Sequence, residues 1–318
     1  MRYFVFSIAL LTAVVVQCKT EVMLPRKISY PLCAYCCDGT AMVLDGGKRS
    51  LKILSPDFKK VTRTIPLSIG QGPGELSNNF FSNPGAILLF KDAVVICDKR
   101  RRKINFYDFG GVFRDEIQFR KPVTTMRKKN GSIIVFFQNN GRLPPVTFSQ
   151  QIDEESKKVM KTTIVNQQLS IIKTVSGAQA WSDNFFCLKQ NGDFIMLNDE
   201  GTIITVGENG KVVDKLQLPV KGEEKVSVED NTVSFETLGR FNSMRIYKGT
   251  IFLTYVQTDP TSHNNTTFLY RASGKEITKE SFKGSVKKLA GILNDQLILF
   301  DKDKESILRI PLSETTKK

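Results

Sequence analysis

The feature that most constrains the fold of this chain is a repeated unit, in which a two-residue turn precedes a short apolar or β-branched strand. Successive units lie about 40 to 60 residues apart, which is the spacing of four-stranded propeller blades with some long loops. The turns are Asp38-Gly39, Lys91-Asp92, Asn130-Gly131, Asn191-Gly192, Lys248-Gly249 and Asn294-Asp295. Asn, Asp and Gly suit such turns because type I′ geometry needs positive φ at both central positions. The pattern predicts an all-β fold, a six-bladed β-propeller of four-stranded antiparallel blades.

The ends of the chain predict how this propeller would close. The last blade ends after its third strand, ILRIPL, so its outer strand would come from the segment near Glu21 to Tyr30. An N-terminal strand in that place would close the ring and remove an exposed sheet edge. We therefore expect a signal peptide at residues 1–17 and a single six-bladed domain over residues 18–318.

The N-terminus has the pattern of an export signal. Arg2 is followed by an uncharged, mostly apolar run from Tyr3 to Val16, which is short for a membrane span. The run ends at Cys18, and the sequence VVQC resembles a bacterial lipobox with Gln17 in the place of the usual small residue. Two locations outside the cytoplasm follow: a cell-envelope lipoprotein lipidated at Cys18, or a soluble periplasmic or secreted protein. An uncleaved anchor is a third alternative.

The net charge and the rare residue types limit the classes of function that this chain could have. Lys and Arg number 46 against 32 Asp and Glu, and this net charge of +14 favours anionic partners. The single histidine, His263, excludes a histidine metal cage and leaves at most one histidine for acid–base chemistry. Cys33, Cys36 and Cys37 form a cluster, but a zinc site would need a second closely spaced pair. We interpret the cluster as structural or disulfide-bonded, and we predict no metal and no cofactor.

One blade carries a family resemblance. Residues 69–113 contain the segment GQGPGE, then Pro84 and Gly85, a strand that ends in Asp98, and a final YDFGG. This stretch resembles an NHL-type repeat, and it is more similar to the six-bladed propeller proteins of bacterial envelopes, which carry a GxGPGE segment before a blade. The resemblance implies the propeller fold. Arg100, Arg101 and Arg102 stand where such repeats have asparagine and histidine. GQGPGE lacks the trailing Gly-Lys-Ser/Thr of a phosphate loop, so we interpret it as a turn between blades.

A basic run is the main clue to a binding site. It lies in the predicted loop between the second and third strands of the second blade, on the same rim as GQGPGE, and the equivalent loops of the first and third blades add further cations. The candidate ligand contacts are Lys48, Arg49, Lys99, Arg100, Arg101, Arg102, Lys103 and Arg142. Such a field would attract polyanions and weaken with salt. The alternative is a solvated turn in a basic protein.

These observations predict a non-enzymatic binding module for protein or polyanionic glycan partners. Export and the lack of stacking aromatics beside the basic run argue against nucleic acid. The membrane would be contacted only through the lipid anchor. Two alternatives stay open, an extracytoplasmic hydrolase or lyase that uses the propeller mouth, and a structural subunit of an envelope complex. We can assign no catalytic constellation to named residues, and the oligomeric state is not predicted.

Overall fold

The computed structural model describes residues 19–82, 84–90, 93–120, 123–129, 132–138, 147–153, 159–166, 186–188, 193–197, 200–207, 212–229 and 232–312. Within these ranges the chain forms 25 β-strands. The described residues contain no helix that is long and apolar enough to cross a membrane. The export signal at residues 1–17 and Cys18 lie outside the described residues.

The strands are numbered in chain order. The first nine are β1 (Thr20–Met23), β2 (Pro31–Cys37), β3 (Thr40–Asp45), β4 (Ser50–Leu54), β5 (Val61–Pro66), β6 (Ile87–Phe90), β7 (Ala93–Asp98), β8 (Lys103–Asp108) and β9 (Phe113–Gln118). The next eight are β10 (Val123–Lys129), β11 (Ser132–Gln138), β12 (Thr147–Asp153), β13 (Val159–Asn166), β14 (Phe186–Leu188), β15 (Phe194–Leu197), β16 (Thr202–Val206) and β17 (Val212–Gln217). The last eight are β18 (Glu223–Glu229), β19 (Thr232–Tyr247), β20 (Thr250–Thr258), β21 (Asn265–Ser273), β22 (Glu276–Lys283), β23 (Lys287–Leu293), β24 (Gln296–Asp301) and β25 (Ser306–Pro311).

Together these strands make an all-β propeller of antiparallel sheets. Blade one is β2–β5, blade two is β6–β9, blade three is β10–β13 and blade four is β14–β17, each with its strands in chain order. A five-stranded sheet follows, β18–β22, and the last blade has the order β1-β25-β24-β23. Consecutive strands pair because tight turns join them, which is the connectivity of a β-meander.

The prediction of six equal four-stranded blades is wrong. Five blades have four strands, and the sheet from β18 to β22 has five. The cause is the length of β19, which has 16 residues. Its first half, from Thr232 to Gly239, pairs with β18, and its second half, from Gly239 to Tyr247, pairs with β20. A hairpin is thus added at the start of this sheet, and the turn spacing in the sequence does not reveal it.

The N-terminal strand is the outer strand of the last blade, and the prediction that this segment would supply it is confirmed. β1 pairs antiparallel with β25, with Thr20 opposite Arg309 and Met23 opposite Ser306. The Ser306 hydroxyl donates to Glu21 Oε1 at 2.6 Å. The first and last described strands are therefore hydrogen-bonded to each other.

Three of the repeated turns fall within the described residues, and they have the predicted geometry. The φ angles are +47° and +72° at Asp38-Gly39, +45° and +79° at Lys248-Gly249, and +49° and +54° at Asn294-Asp295. Positive φ at both central positions is the mark of a type I′ turn. The turns at Lys91-Asp92, Asn130-Gly131 and Asn191-Gly192 lie outside the described residues.

The core consists of apolar layers between neighbouring sheets. On β3, Met42 and Leu44 face the layer shared with blade two, whereas Ala41 and Val43 face the layer shared with the last blade. All four side chains are buried. A strand covered on both faces is apolar along its whole length. This is why the middle strands have continuous runs such as AVVIC and QLILF rather than an alternating pattern.

Candidate functional site

Buried aspartates hold the loops at one rim of the propeller. The second strands of blade one, blade two and the last blade end at Asp45, Asp98 and Asp301. Each of these aspartates is at most 1% exposed. In each blade the aspartate Oδ1 accepts a hydrogen bond from the backbone N–H three residues further along. These donors are Lys48 at 3.3 Å, Arg101 at 3.1 Å and Lys304 at 3.1 Å. The three loops therefore share one anchored geometry and lie on the same rim.

The basic run forms the loop after Asp98, between β7 and β8, as predicted. Arg101 Nη1 donates to the carbonyl of Glu75 at 3.1 Å, and its Nη2 donates to Gln71 Oε1 at 2.9 Å. These contacts confirm that the basic loop and the GQGPGE segment lie on the same rim. Arg100 and Arg102 are exposed, whereas Lys99 is half-buried and lines a cavity.

Lys103 does not lie on the surface of this rim, contrary to the prediction. It is the first residue of β8 and is 4% exposed. Its Nζ lies 2.7 Å from Glu116 Oε2 on the neighbouring strand β9. Alternation along the strand turns this side chain into the protein, so Lys103 is a structural cation and contacts no external ligand from this position.

The other predicted rim residues divide between exposed and undescribed positions. Lys48 and Arg49 are exposed in the loop that follows Asp45, and Arg49 has a φ of +45°. The Arg49 carbonyl accepts a hydrogen bond from Leu67 N at 2.9 Å. Arg142 lies outside the described residues. We use the name basic rim for the exposed cations Lys48, Arg49, Arg100 and Arg102.

The GQGPGE segment is a self-contained connection between blades one and two. Glu75 Oε2 accepts a hydrogen bond from Gly72 N at 2.6 Å, and a Cβ added at Gly70 would lie 2.0 Å from the same carboxylate oxygen. The carboxylate of Glu75 thus fills the space that a bound phosphate would need, and it places a negative charge there. The segment lies between β5 and β6, so its interpretation as a turn between blades is confirmed.

A cavity of about 340 Å³ lies between the first strands of blades one and two and the last blade. We call it the central cavity. Four cations line it, Lys99, Arg127, Arg245 and Lys288, together with three thiols and several apolar side chains. None of the described residues that line it carries a carboxylate. The cavity is therefore positively charged as far as the structure describes its walls.

The two arginines of the central cavity are held in the same way. Arg127 Nη1 donates to the carbonyl of Met126 and Arg245 Nη1 donates to the carbonyl of Met244, both at 2.8 Å. Met126 and Met244 are fully buried, so each pair anchors its methionine in the core and presents its guanidinium to the cavity. A guanidinium has five N–H donors, and the bond from Arg245 to the Met244 carbonyl uses one of them.

Lys288 lies among other cations, and these affect its pKa. Its pKa is lowered from the ordinary lysine value, first by burial and then by the nearby charges of Arg240, Lys302 and Lys99, while the Cys33 thiol acts in the opposite direction. Within the described part of the chain the side chain of Lys288 forms no hydrogen bond or ion pair. An anion at this place would relieve the repulsion among these cations.

The cysteine cluster forms part of the wall of the central cavity. Cys33, Cys36 and Cys37 are thiols, and no disulfide joins them to each other or to Cys97. Burial raises the pKa of Cys37 to about 11, and burial together with the neighbouring Cys37 raises that of Cys36 further. The described residues contain no group of three or more His, Cys, Asp or Glu side chains that could hold a metal ion.

The sequence analysis missed the cations of the central cavity except for Lys99. Arg127 begins the cationic run Arg127–Lys129, Lys288 follows Lys287, and Arg245 has no cation beside it in the sequence, so no common charge pattern marks the three. One signal was available: the dipeptide Met-Arg occurs both at 126–127 and at 244–245. Each copy lies in the strand of its sheet that contacts the cavity, with the methionine buried and the arginine directed inward.

Comparison with known proteins supports the fold. No protein-family model matches the sequence, and no curated protein matches it. A member of the DUF4221 family from Bacteroides vulgatus ATCC 8482 is similar over 92% of this chain and 95% of that chain, with 9% identity and a TM-score of 0.56. A protein of Bacteroides fragilis NCTC 9343 that is named as exported matches over 88% and 83%, with 11% identity and a TM-score of 0.50.

BamB from Moraxella catarrhalis is a more distant match, with 9% identity and a TM-score of 0.44 over 87% of this chain and 70% of that chain. This structural similarity is too low to support a conclusion about this chain. The two stronger matches have such low identity that they show the fold alone. The chain is thus a β-propeller protein, and its function has to be argued from its own residues.

Proposed function

We propose that this chain is an exported, non-enzymatic β-propeller that binds a protein or an anionic glycan through its basic rim. The observation that carries the proposal is the anchoring of the loops after Asp45 and Asp98 on one rim, where Lys48, Arg49, Arg100 and Arg102 are exposed. Cations held on rigid loops present a fixed field to a partner, and such a field accelerates the encounter with polyanions. Arg142 would extend the basic rim to blade three.

We infer that the sheets form one closed ring over residues 18–318, in which the five-stranded sheet stands between blade four and the last blade. The contacts between neighbouring sheets support this: β2 touches both β6 and β23, β7 touches β10, β10 touches β14, and β19 touches both β14 and β23. The GQGPGE segment and the recurrent aspartates agree with kinship to NHL-type envelope propellers. A chain that begins at Leu24 should unfold at lower temperature than one that begins at Lys19, because β25 would lose its partner β1.

The location outside the cytoplasm, with a lipid on Cys18, belongs to the same proposal. The apolar run that precedes Cys18 supports export, and the similar Bacteroides fragilis protein that is named as exported agrees with it. Exchange of Cys18 for Ala in the full chain should move the protein from the membrane fraction to the soluble extracytoplasmic fraction. Membrane association that persists in Cys18→Ala would refute lipidation at this residue.

Retention on immobilised heparin tests the basic rim. The wild-type protein should bind at low salt and elute as salt rises, because each neutralised anion releases counterions. Arg100→Gln combined with Arg102→Gln should elute at lower salt. Lys275→Gln combined with Lys279→Gln is the matched control, because it removes the same charge from the β21–β22 hairpin, where both lysines are exposed. Flow-through of the wild-type protein at low salt, or equal shifts for both variants, would contradict binding of a polyanion by the basic rim.

A further inference from the structure

The central cavity and the basic rim are separate features, and among the described residues only Lys99 belongs both to the basic run and to the cavity wall. Arg100 and Arg102 are exposed on the rim, whereas Arg127 and Arg245 lie on β10 and β19 and line the cavity. The cations of the basic rim are exposed, so water solvates their charge. In the central cavity of about 340 Å³, by contrast, four cations on half-buried or exposed side chains are brought together, and their mutual repulsion is costly.

The chemistry of the walls defines the kind of ligand that would offset this cost. Two guanidinium groups and two ammonium groups converge on the cavity, and the described walls contribute no carboxylate. A guanidinium fork matches a carboxylate or a phosphate with two parallel hydrogen bonds, and an ammonium adds a point charge. The remaining walls are largely apolar and include Ile87, Leu88, Leu289 and Phe300.

We propose that the central cavity is a binding site for a compact organic anion, in which a phosphate or carboxylate group is held by Arg127, Arg245 and Lys288 and an apolar body packs against the surrounding walls. This site goes beyond the proposed function and does not depend on it.

The dimensions agree with a small molecule rather than a polymer. Pockets for small ligands range from about 300 to about 1,000 Å³, and they combine apolar walls with a few polar groups that fix orientation. A cavity of about 340 Å³ is at the lower end of that range. A glycan chain or a protein segment would fill it only with a terminal group. The lowered pKa of Lys288 agrees with this assignment, because an added anion would raise it again.

Isothermal titration of the whole protein with inorganic pyrophosphate, and separately with citrate, tests the proposal. At least one of these anions should bind the wild-type protein. Arg245→Gln combined with Lys288→Gln should weaken that binding by about tenfold or more, since charge-assisted hydrogen bonds are lost. Arg100→Gln combined with Arg102→Gln removes the same charge from the basic rim and should leave the affinity unchanged.

The two variants also separate this proposal from the proposed function. The cavity variant should keep its retention on heparin, and the rim variant should lose part of it. Absence of binding of both anions to the wild-type protein would overturn the cavity proposal, whatever the result with heparin. Equal affinity of the wild-type protein and the cavity variant would overturn it as well.

A second measurement uses the wild-type protein alone and does not depend on how the variants fold. Cys33 lies in the wall of the central cavity and is partly exposed. Saturating amounts of the anion that binds should therefore slow alkylation of Cys33 by the neutral reagent iodoacetamide by about threefold or more, measured on the isolated peptide by mass spectrometry. An unchanged rate in the presence of a bound anion would place that anion elsewhere and refute the site.

Discussion

Lys287 Nζ lies 2.5 Å from Asp301 Oδ2, and the two side chains form an ion pair that is 7% and 1% exposed. The residues face each other across the register of β23 and β24. Lys287 Nζ also donates to Ser285 Oγ at 2.9 Å, and Asp301 Oδ1 accepts from Lys304 N. The pair therefore fixes both the start of the last blade's inner strand and the loop that follows its second strand.

Loss of this carboxylate should be costly for stability. In Asp301→Asn the buried ammonium of Lys287 keeps its charge without a counterion, and we expect a loss of about 3 kcal/mol in the free energy of unfolding. Urea denaturation at pH 7 measures it. Asp303→Asn is the matched control, because Asp303 is exposed on the same loop, and it should leave the urea midpoint unchanged. Equal midpoints for both variants would contradict a stabilising role for the buried pair.

The ion pair of Lys287 and Asp301 also predicts that the stability of the protein depends on pH. Burial acts to raise the pKa of Asp301, but hydrogen bonds from Lys287, Ser285 and Lys304 outweigh it and hold the pKa below its ordinary value. A carboxylate with a lowered folded pKa contributes stability above its unfolded pKa, and this contribution is lost as pH falls through the folded value. The difference in urea midpoint between wild type and Asp301→Asn should shrink from pH 7 to pH 3. A difference that grows on acidification would refute this linkage.

Gly74 in the GQGPGE segment should be intolerant of any side chain. It has a φ of +71°, and an added Cβ would lie 2.4 Å from Phe113 Cγ. Its carbonyl also accepts the hydroxyl of the buried Tyr107 at 2.5 Å. Gly74→Ala should therefore lower the free energy of unfolding by about 2 to 4 kcal/mol, from backbone strain and overpacking together.

Gly39→Ala separates the two causes. Gly39 has a φ of +72°, but an added Cβ would meet nothing within 4 Å. Only backbone strain remains, and the expected loss is about 1 kcal/mol. Thermal or urea unfolding of both variants gives the comparison. Similar losses for the two would mean that the contact with Phe113 relaxes freely.

Lys103 and Arg100 should behave in opposite ways, although both belong to the basic run. Lys103→Gln breaks the contact with Glu116 and should cost about 1 to 3 kcal/mol, as for hydrogen bonds to charged groups, without changing the salt at which heparin releases the protein. Arg100→Gln should leave stability unchanged and lower the elution salt, because its side chain is exposed. Reduced retention of a folded Lys103→Gln protein would contradict its structural assignment.

The thiol of Cys37 should be slow to react near neutral pH. Because its pKa is about 11, raised chiefly by burial, little thiolate is present at pH 8. Its alkylation by iodoacetamide should accelerate by about tenfold for each pH unit between 8 and 10, whereas that of glutathione levels off above an ordinary thiol pKa of about 8.5. Peptide mapping of the alkylated protein measures this rate. A rate that levels off below pH 9 would show that the thiol is not buried in solution.

Sequence reasoning captured the local parts of this structure and missed one long-range part. The type I′ turns and the four strands of blades two and four follow from patterns of neighbouring residues, whereas the place of β1 beside β25 followed from the strand that the last blade lacked. The five-stranded sheet was missed because β19 is one continuous strand whose first half pairs with β18 and whose second half pairs with β20. Pairing partners are set by the fold as a whole, and the composition of a single strand does not report them.

The sequence by itself determined the class of fold and the positive charge of the molecule. Turn residues with positive φ and apolar β-branched strands define a propeller through local sterics and burial, which are properties of short segments. Only the tertiary structure decided which cations share a site. It placed Lys103 in an internal pair, left Arg100 and Arg102 exposed, and brought Arg127, Arg245 and Lys288 together from distant strands. Electrostatic interactions act through space, so their partners follow from the three-dimensional arrangement of the sheets and not from distance along the chain.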